Sequence, residues 1–220
     1  MHHVDAQTIR EISMNTHKYL FLLATLLGAT GVLQAQKMPD DAAAAMAQAM
    51  AALGQAAEKG AASGSVDSKE LRALLPDKDA FAGFKRVKAG VESNAMMGFK
   101  VVVAKAEFSA LEGDAGFTVQ YADIGGLNAI AKMAMTMQEV DEETETGFRR
   151  TVVYSGYKAL EEYDEANKTG KVQIYTGDRV AVEIESHGVS FAVVKQVVAK
   201  VDLKKLAALK AAAPAAVEAK

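Results

Sequence analysis

The chain has 220 residues, half of them hydrophobic, with a formal net charge of −3 and no cysteine. That length allows one ordinary domain with appendages, and the charge balance gives no global attraction to nucleic acid or anionic lipid. Without cysteine, disulfides, thiolate nucleophiles, cysteine zinc sites and lipidation of an N-terminal cysteine are excluded.

Residues 19–33 are an uncharged apolar run preceded by His17 and Lys18. A membrane-spanning helix needs about 20 apolar residues. This run is shorter and gives way to small and polar residues, the pattern of an export signal. The reading is a signal peptide over 1–35, processed after Ala35 or, as the alternative, after Gly31. Met1 to Ser13 carries Asp5 and Glu11 and does not resemble the basic start of a signal, whereas Met14 to Lys18 does; Met14 is a candidate true start. An uncleaved anchor is the competing reading.

Residues 36–65 read as an Ala-rich helix and a flexible linker. Pro39, Asp40 and Asp41 open the helix, Met46, Met50 and Leu53 make a thin stripe along it, and Gly60–Ser65 is linker material. The globular domain is expected over 66–209. It begins with a short helix capped by Asp67 or Ser68, stopped by Pro76, and buried through Leu71, Leu74 and Leu75.

A short strand at Phe84–Lys88 follows, then a longer one at Gly98–Ser109, with Val102, Ala104, Ala106 and Phe108 on one face. Phe117, Val119 and Tyr121 alternate with polar neighbours as a half-buried strand. Leu127 to Gln138 carries a helical stripe of Leu127, Ile130, Ala131 and Ala134. Glu139–Glu145 is then an acidic connection.

From Phe148 to Glu185 the pattern is consecutive antiparallel strands. If Ser155-Gly156 is a two-residue turn, one register pairs Tyr154 with Tyr157, Val152 with Ala159, Arg150 with Glu161, Arg149 with Glu162 and Phe148 with Tyr163. Each pair is worth roughly 0.2–1 kcal/mol, and a one-residue slip forfeits them all. Around Gly177-Asp178 a three-residue turn is expected, because only an odd loop keeps Val172 and Ile174 on the face of Val180, Val182 and Ile184. Val189–Val201 is an amphipathic helix continued by Leu203, Leu206 and Leu209, and 210–220 is a disordered tail. The predicted class is α+β: an antiparallel sheet of about six or seven strands with two main helices packed on it, plus the N-terminal Ala-rich helix.

The segments Glu143-Thr-Glu-Thr-Gly-Phe-Arg-Arg-Thr151, Ala159-Leu-Glu-Glu-Tyr-Asp164 and Gly177-Asp-Arg-Val180 resemble those of an uncharacterised group of exported bacterial proteins, over roughly Leu71 to Leu209. The resemblance implies an envelope address and an α+β domain, and brings no site residue with it. The strand order is also loosely similar to the Mog1/PsbP-like sandwich, a likeness of topology that carries no function.

Candidate chemistries are few. After signal removal His187 is the one histidine left, with Ser186 and Ser190 near it in sequence. A hydrolase would need that imidazole beside a serine and a carboxylate, but no nucleophile elbow is present. Met133, Met135 and Met137 have the spacing of soft copper(I) ligands, yet on a helix only Met133 and Met137 share a face. Glu139, Asp141, Glu142, Glu143 and Glu145 are calcium-type ligands without calcium-loop spacing. Gly125-Gly126 at a helix start would suit an anion, but Asp123 would repel one and is read as the helix cap. No catalytic residue, cofactor or nucleic-acid contact is assigned. The expected function is an exported, non-enzymatic envelope domain with no transmembrane segment in the mature chain, binding a partner protein or a small apolar ligand. Copper binding through Met133/Met137 and hydrolysis through His187 are the alternatives.

Overall fold

The computed structural model describes residues 64–96, 99–125, 139–177 and 179–212. The expected signal peptide, the Ala-rich segment, the helix at Leu127–Gln138 and the tail beyond Ala212 lie outside them. Helix α1 (Ser68–Ala73) forms where extended Asp67 turns its carboxylate back onto the amides of Lys69 and Glu70. Leu74 closes it, ahead of Pro76. Leu71 is fully buried and Leu75 nearly so.

Eight strands follow: β1 (Phe84–Met96), β2 (Phe99–Ala110), β3 (Gly116–Asp123), β4 (Asp141–Thr144), β5 (Gly147–Tyr154), β6 (Tyr157–Asp164), β7 (Thr169–Tyr175) and β8 (Val180–His187). They form one antiparallel sheet in the order β1-β2-β3-β8-β7-β6-β5-β4. Helices α2 (Phe191–Lys200) and α3 (Leu203–Ala208) close the described chain. The class is α+β, as expected, but with eight strands rather than six or seven, and with three short helices among the described residues.

Each difference has a physical origin. The additional strand, β4, lies in the acidic run read as a connection. All four of its side chains are exposed, so it carries no apolar alternation, and its register sets Asp141 and Glu142 opposite Arg150 and Arg149. β1 runs eight residues beyond its expected end at Lys88 because a bulge shifts the register between Arg86 and Lys88. The inward set changes from even to odd positions there, which hides the strand from a search for strict alternation. The expected long C-terminal helix breaks at Val201, which is extended (ψ 123°), and Asp202 then caps α3 by accepting from the Lys205 amide.

The predicted β5–β6 register is realised pair for pair. Its turn residues Ser155 and Gly156 sit at φ 52° and 88°, the doubly positive geometry of a type I′ turn. The β7–β8 turn also has the odd length that the pattern demands. The Thr176 amide and hydroxyl both donate to the Val180 carbonyl, at 3.0 and 2.8 Å, across Gly177, Asp178 and Arg179.

One sheet face carries Ala104, Ala106, Phe108, Phe117, Val119, Tyr121, Val172, Ile174, Val182 and Ile184, all essentially buried. Leu71 of α1, Val194, Val197 and Val198 of α2, and Leu203 and Leu206 of α3 join them in one core. Burying each of the Val, Leu, Ile and Phe side chains among them is worth about 1.5–3 kcal/mol. α1 packs on β1 and β2, and α2 on β7 and β8. At the lower end Phe81 meets Phe108 and Phe117 edge-on, both at 5.0 Å.

Candidate functional site

Beyond α2, the same face continues over β6 and β5 as a shelf. Its floor is Glu161, a carboxylate only 2 % exposed. The register sets Arg150 directly opposite, and Arg150 Nε donates to Glu161 Oε2 at 2.8 Å. Tyr154 reaches back along β5 and donates its hydroxyl to Oε1. It can do so because Ala159, between Tyr157 and Glu161 on that face of β6, is too small to block it. Burial first, then donation to Glu161 and that residue's charge, push the Tyr154 phenol well above its ordinary value, with Arg150 pulling the other way. A buried carboxylate is costly unless hydrogen-bonded and paired; both conditions are met here.

The shelf is walled by aromatic rings. The Arg150 guanidinium carbon lies 4.3 Å from the Phe148 ring centroid. Phe191, from the first turn of α2, meets Phe148 at 4.9 Å and Tyr163 at 5.3 Å, and the Tyr163 hydroxyl is fixed by donation to the Val189 carbonyl at 2.9 Å. Val152, Tyr154 and Tyr157 stay half-buried. The Arg150 side chain is 38 % exposed while its Nε is committed to Glu161. With both Glu161 oxygens engaged, the arrangement presents apolar surface beside a partly exposed guanidinium, and the register places the exposed Asp141 and Glu143 of β4 on the same face, opposite Arg150 and Phe148.

The opposite face carries a charge ladder. Arg149 meets Glu162 at 2.6 Å, Lys171 meets Glu183 at 3.0 Å and Glu185 at 3.2 Å, and Gln173 donates to Glu183 at 2.9 Å. Burial pulls the Lys171 ammonium down, but Glu183 and Glu185 outweigh it and hold it above its ordinary value.

Among the described residues, those singled out from sequence are placed as follows. His187 ends β8, and Ser186 before it points to the other face, where its hydroxyl donates to the Gly170 carbonyl at 3.3 Å. Ser190 is the N-cap of α2. Met133, Met135 and Met137 lie outside the described residues. In β4 the acidic side chains alternate between faces, and among the described residues no group of three or more His, Asp or Glu is placed to hold a metal ion. The Gly125 amide is occupied by Asp123 Oδ1 at 3.0 Å. The proposed helix cap is thus a buried carboxylate, and it also takes Arg179 Nε at 3.0 Å. Among the described residues, no helix is long and apolar enough to cross a membrane. No protein-family model matches the chain, and comparison with curated proteins and with solved structures finds no match.

Sequence reasoning paired Arg150 with Glu161 but missed Tyr154 as the third member, and missed that Glu161 is buried. The available signal was steric: Tyr154, Val152 and Arg150 share a face with Tyr157, Ala159 and Glu161, and the alanine leaves a gap that a tyrosine can span.

Proposed function

We propose that the chain is an exported, non-catalytic domain of the bacterial envelope that binds a small apolar ligand on the β5–β6 shelf. The address rests on the uncharged run 19–33 behind His17 and Lys18. The observation that carries the binding role is the half-buried row of Phe148, Val152, Tyr154 and Tyr157 beside a buried Glu161 that is held by Arg150 and Tyr154. Aromatic side chains offer roughly 150–250 Å² of contact each. A tyrosine already locked to a carboxylate loses little further freedom when a ligand lies on it. The partly exposed guanidinium of Arg150 supplies one polar contact for orientation.

A titration with the fluorescent apolar probe 1-anilinonaphthalene-8-sulfonate, excited directly, tests this. Saturable binding is expected, weakened about tenfold (~1.4 kcal/mol) when Tyr154 and Tyr157 are both changed to Ala. Val153→Ala, at a 68 % exposed position on the opposite face, leaves it unchanged. A flat titration, or equal binding by all three proteins, removes the shelf as the site.

A further inference from the structure

One corner of the sheet gathers four separate pieces of chain. Asp123, at the end of β3 and 1 % exposed, accepts from the amide of Val66 at 2.6 Å and of Gly125 at 3.0 Å. It also accepts from Arg179 Nε at 3.0 Å and Nη2 at 3.1 Å. Arg179 Nη2 donates as well to the Gly64 carbonyl at 2.7 Å, and the neighbouring Ser65 carbonyl accepts from the Ala212 amide at 2.9 Å. The entering segment, the exit of β3 and the β7–β8 turn are therefore tied through one carboxylate and one guanidinium, and the C-terminal segment joins them through the Ser65 backbone.

Two glycines make the tie sterically possible. A Cβ on Gly125 would stand 2.6 Å from the Arg179 guanidinium carbon, and one on Gly64, at φ 64°, would stand 2.9 Å from the Ala212 carbonyl oxygen. α1 begins two residues after Val66 and has only six residues, too few to persist without tertiary support. Its far end is tied similarly, by Arg86 Nη1 donating to the Pro76 carbonyl at 2.7 Å. Between the ties, Leu71 anchors it to the core. Elements held by few contacts open locally at lower cost than ladders held on both sides.

We infer that the Asp123–Arg179 corner is a strap that latches α1 and both ends of the described chain onto the sheet. When it releases, α1 leaves as a unit while the strands stay paired. Release uncovers the face of β1 and β2 that bears Ala89, Ala104, Ala106 and Phe108, so the strap sets how often that apolar face meets solvent. The device is separate from the shelf, which lies at the other end of the same face.

Hydrogen exchange followed by mass spectrometry on the full chain tests the strap through two variants. Gly64→Ala strains the tie without touching the core; Asp123→Asn removes the charge that holds it. In both, residues 64–75 are expected to exchange about tenfold or more faster than in the parent, with β6 and β7 unchanged. Should Asp123→Asn fail to fold, Gly64→Ala alone decides. Parental rates at 64–75, or an equal acceleration in β6 and β7, would overturn the inference, the second by making the corner an ordinary contributor to global stability.

Discussion

Two tyrosines on one sheet face stand in opposite hydrogen-bonding situations. The Tyr154 hydroxyl donates to a buried carboxylate, whereas the Tyr121 hydroxyl is fully buried and has no partner among the described residues. A bond to a charged group contributes about 1.5–3 kcal/mol when buried, and Tyr154 is partly exposed, so Tyr154→Phe is expected to cost about 1–2 kcal/mol. Tyr121→Phe removes an unsatisfied group instead and is expected to stabilise by about 1 kcal/mol. Urea unfolding of the two variants checks both signs; a loss at Tyr121 would reveal a hidden partner. Burial is the larger cause of the upward shift at both phenols, assisted at Tyr121 by the charge of Asp202 and at Tyr154 by Glu161. A phenol whose pKa is raised on folding holds its proton more tightly in the native state. The stability it contributes is complete below the unfolded value of about 10 and drains away as pH rises past it. The unfolding midpoint is therefore expected to fall steadily above about pH 10, less steeply in Tyr154→Phe. An unchanged slope would mean that Tyr154 is not protected from ionisation.

Turns decided how much of the sheet could be read from sequence. The β5–β6 hairpin was legible because its two-residue turn and its side-chain pairs, Arg150–Glu161 and Arg149–Glu162 among them, point to one register. The β7–β8 turn was legible from parity alone. β4 was not, since a strand whose side chains are all solvated has no core-facing pattern, and the upper half of β1 was hidden by the phase change at its bulge. The shelf was half legible: a register can pair Arg150 with Glu161, but burial of that carboxylate depends on tertiary packing that no strand pattern reports. The Asp123–Arg179 tie was not legible at all, because it joins positions 56 apart with no pattern connecting them. The turn itself supports a prediction. Ser155 occupies a left-handed conformation, φ 52°, which asparagine and glycine tolerate better. Ser155→Asn is expected to raise stability by about 0.5 kcal/mol, and Gly156→Ala, at φ 88°, to lower it by about 1–2 kcal/mol. Thermal unfolding reads both, and a neutral Gly156→Ala would contradict the type I′ assignment.

Across the whole molecule, connectivity divides the sheet unevenly. β1, β2 and β3 form one meander, and β4 to β8 form another. Among the described strands the two are joined by a single ladder, β3 with β8, in which Val119 faces Ile184 and Tyr121 faces Val182. Neighbours within a meander are close in sequence, whereas this ladder closes a loop of about sixty residues and bears the largest entropic cost of any pairing in the sheet. Its return is the shared core: Val119 and Ile184 are wholly buried, and α2 rests on β8 beside them. Neither meander can fill that core alone, so unfolding should be a single cooperative event. Ile184→Ala is expected to cost about 2–5 kcal/mol while far-ultraviolet dichroism and tyrosine fluorescence still report one coincident transition. Because β3 and β8 meet only after a long loop has closed, the same substitution should slow folding as well as speed unfolding. If the two signals separated, or if folding kept its parental rate while unfolding alone accelerated, the ladder would be a late contact between halves that fold independently.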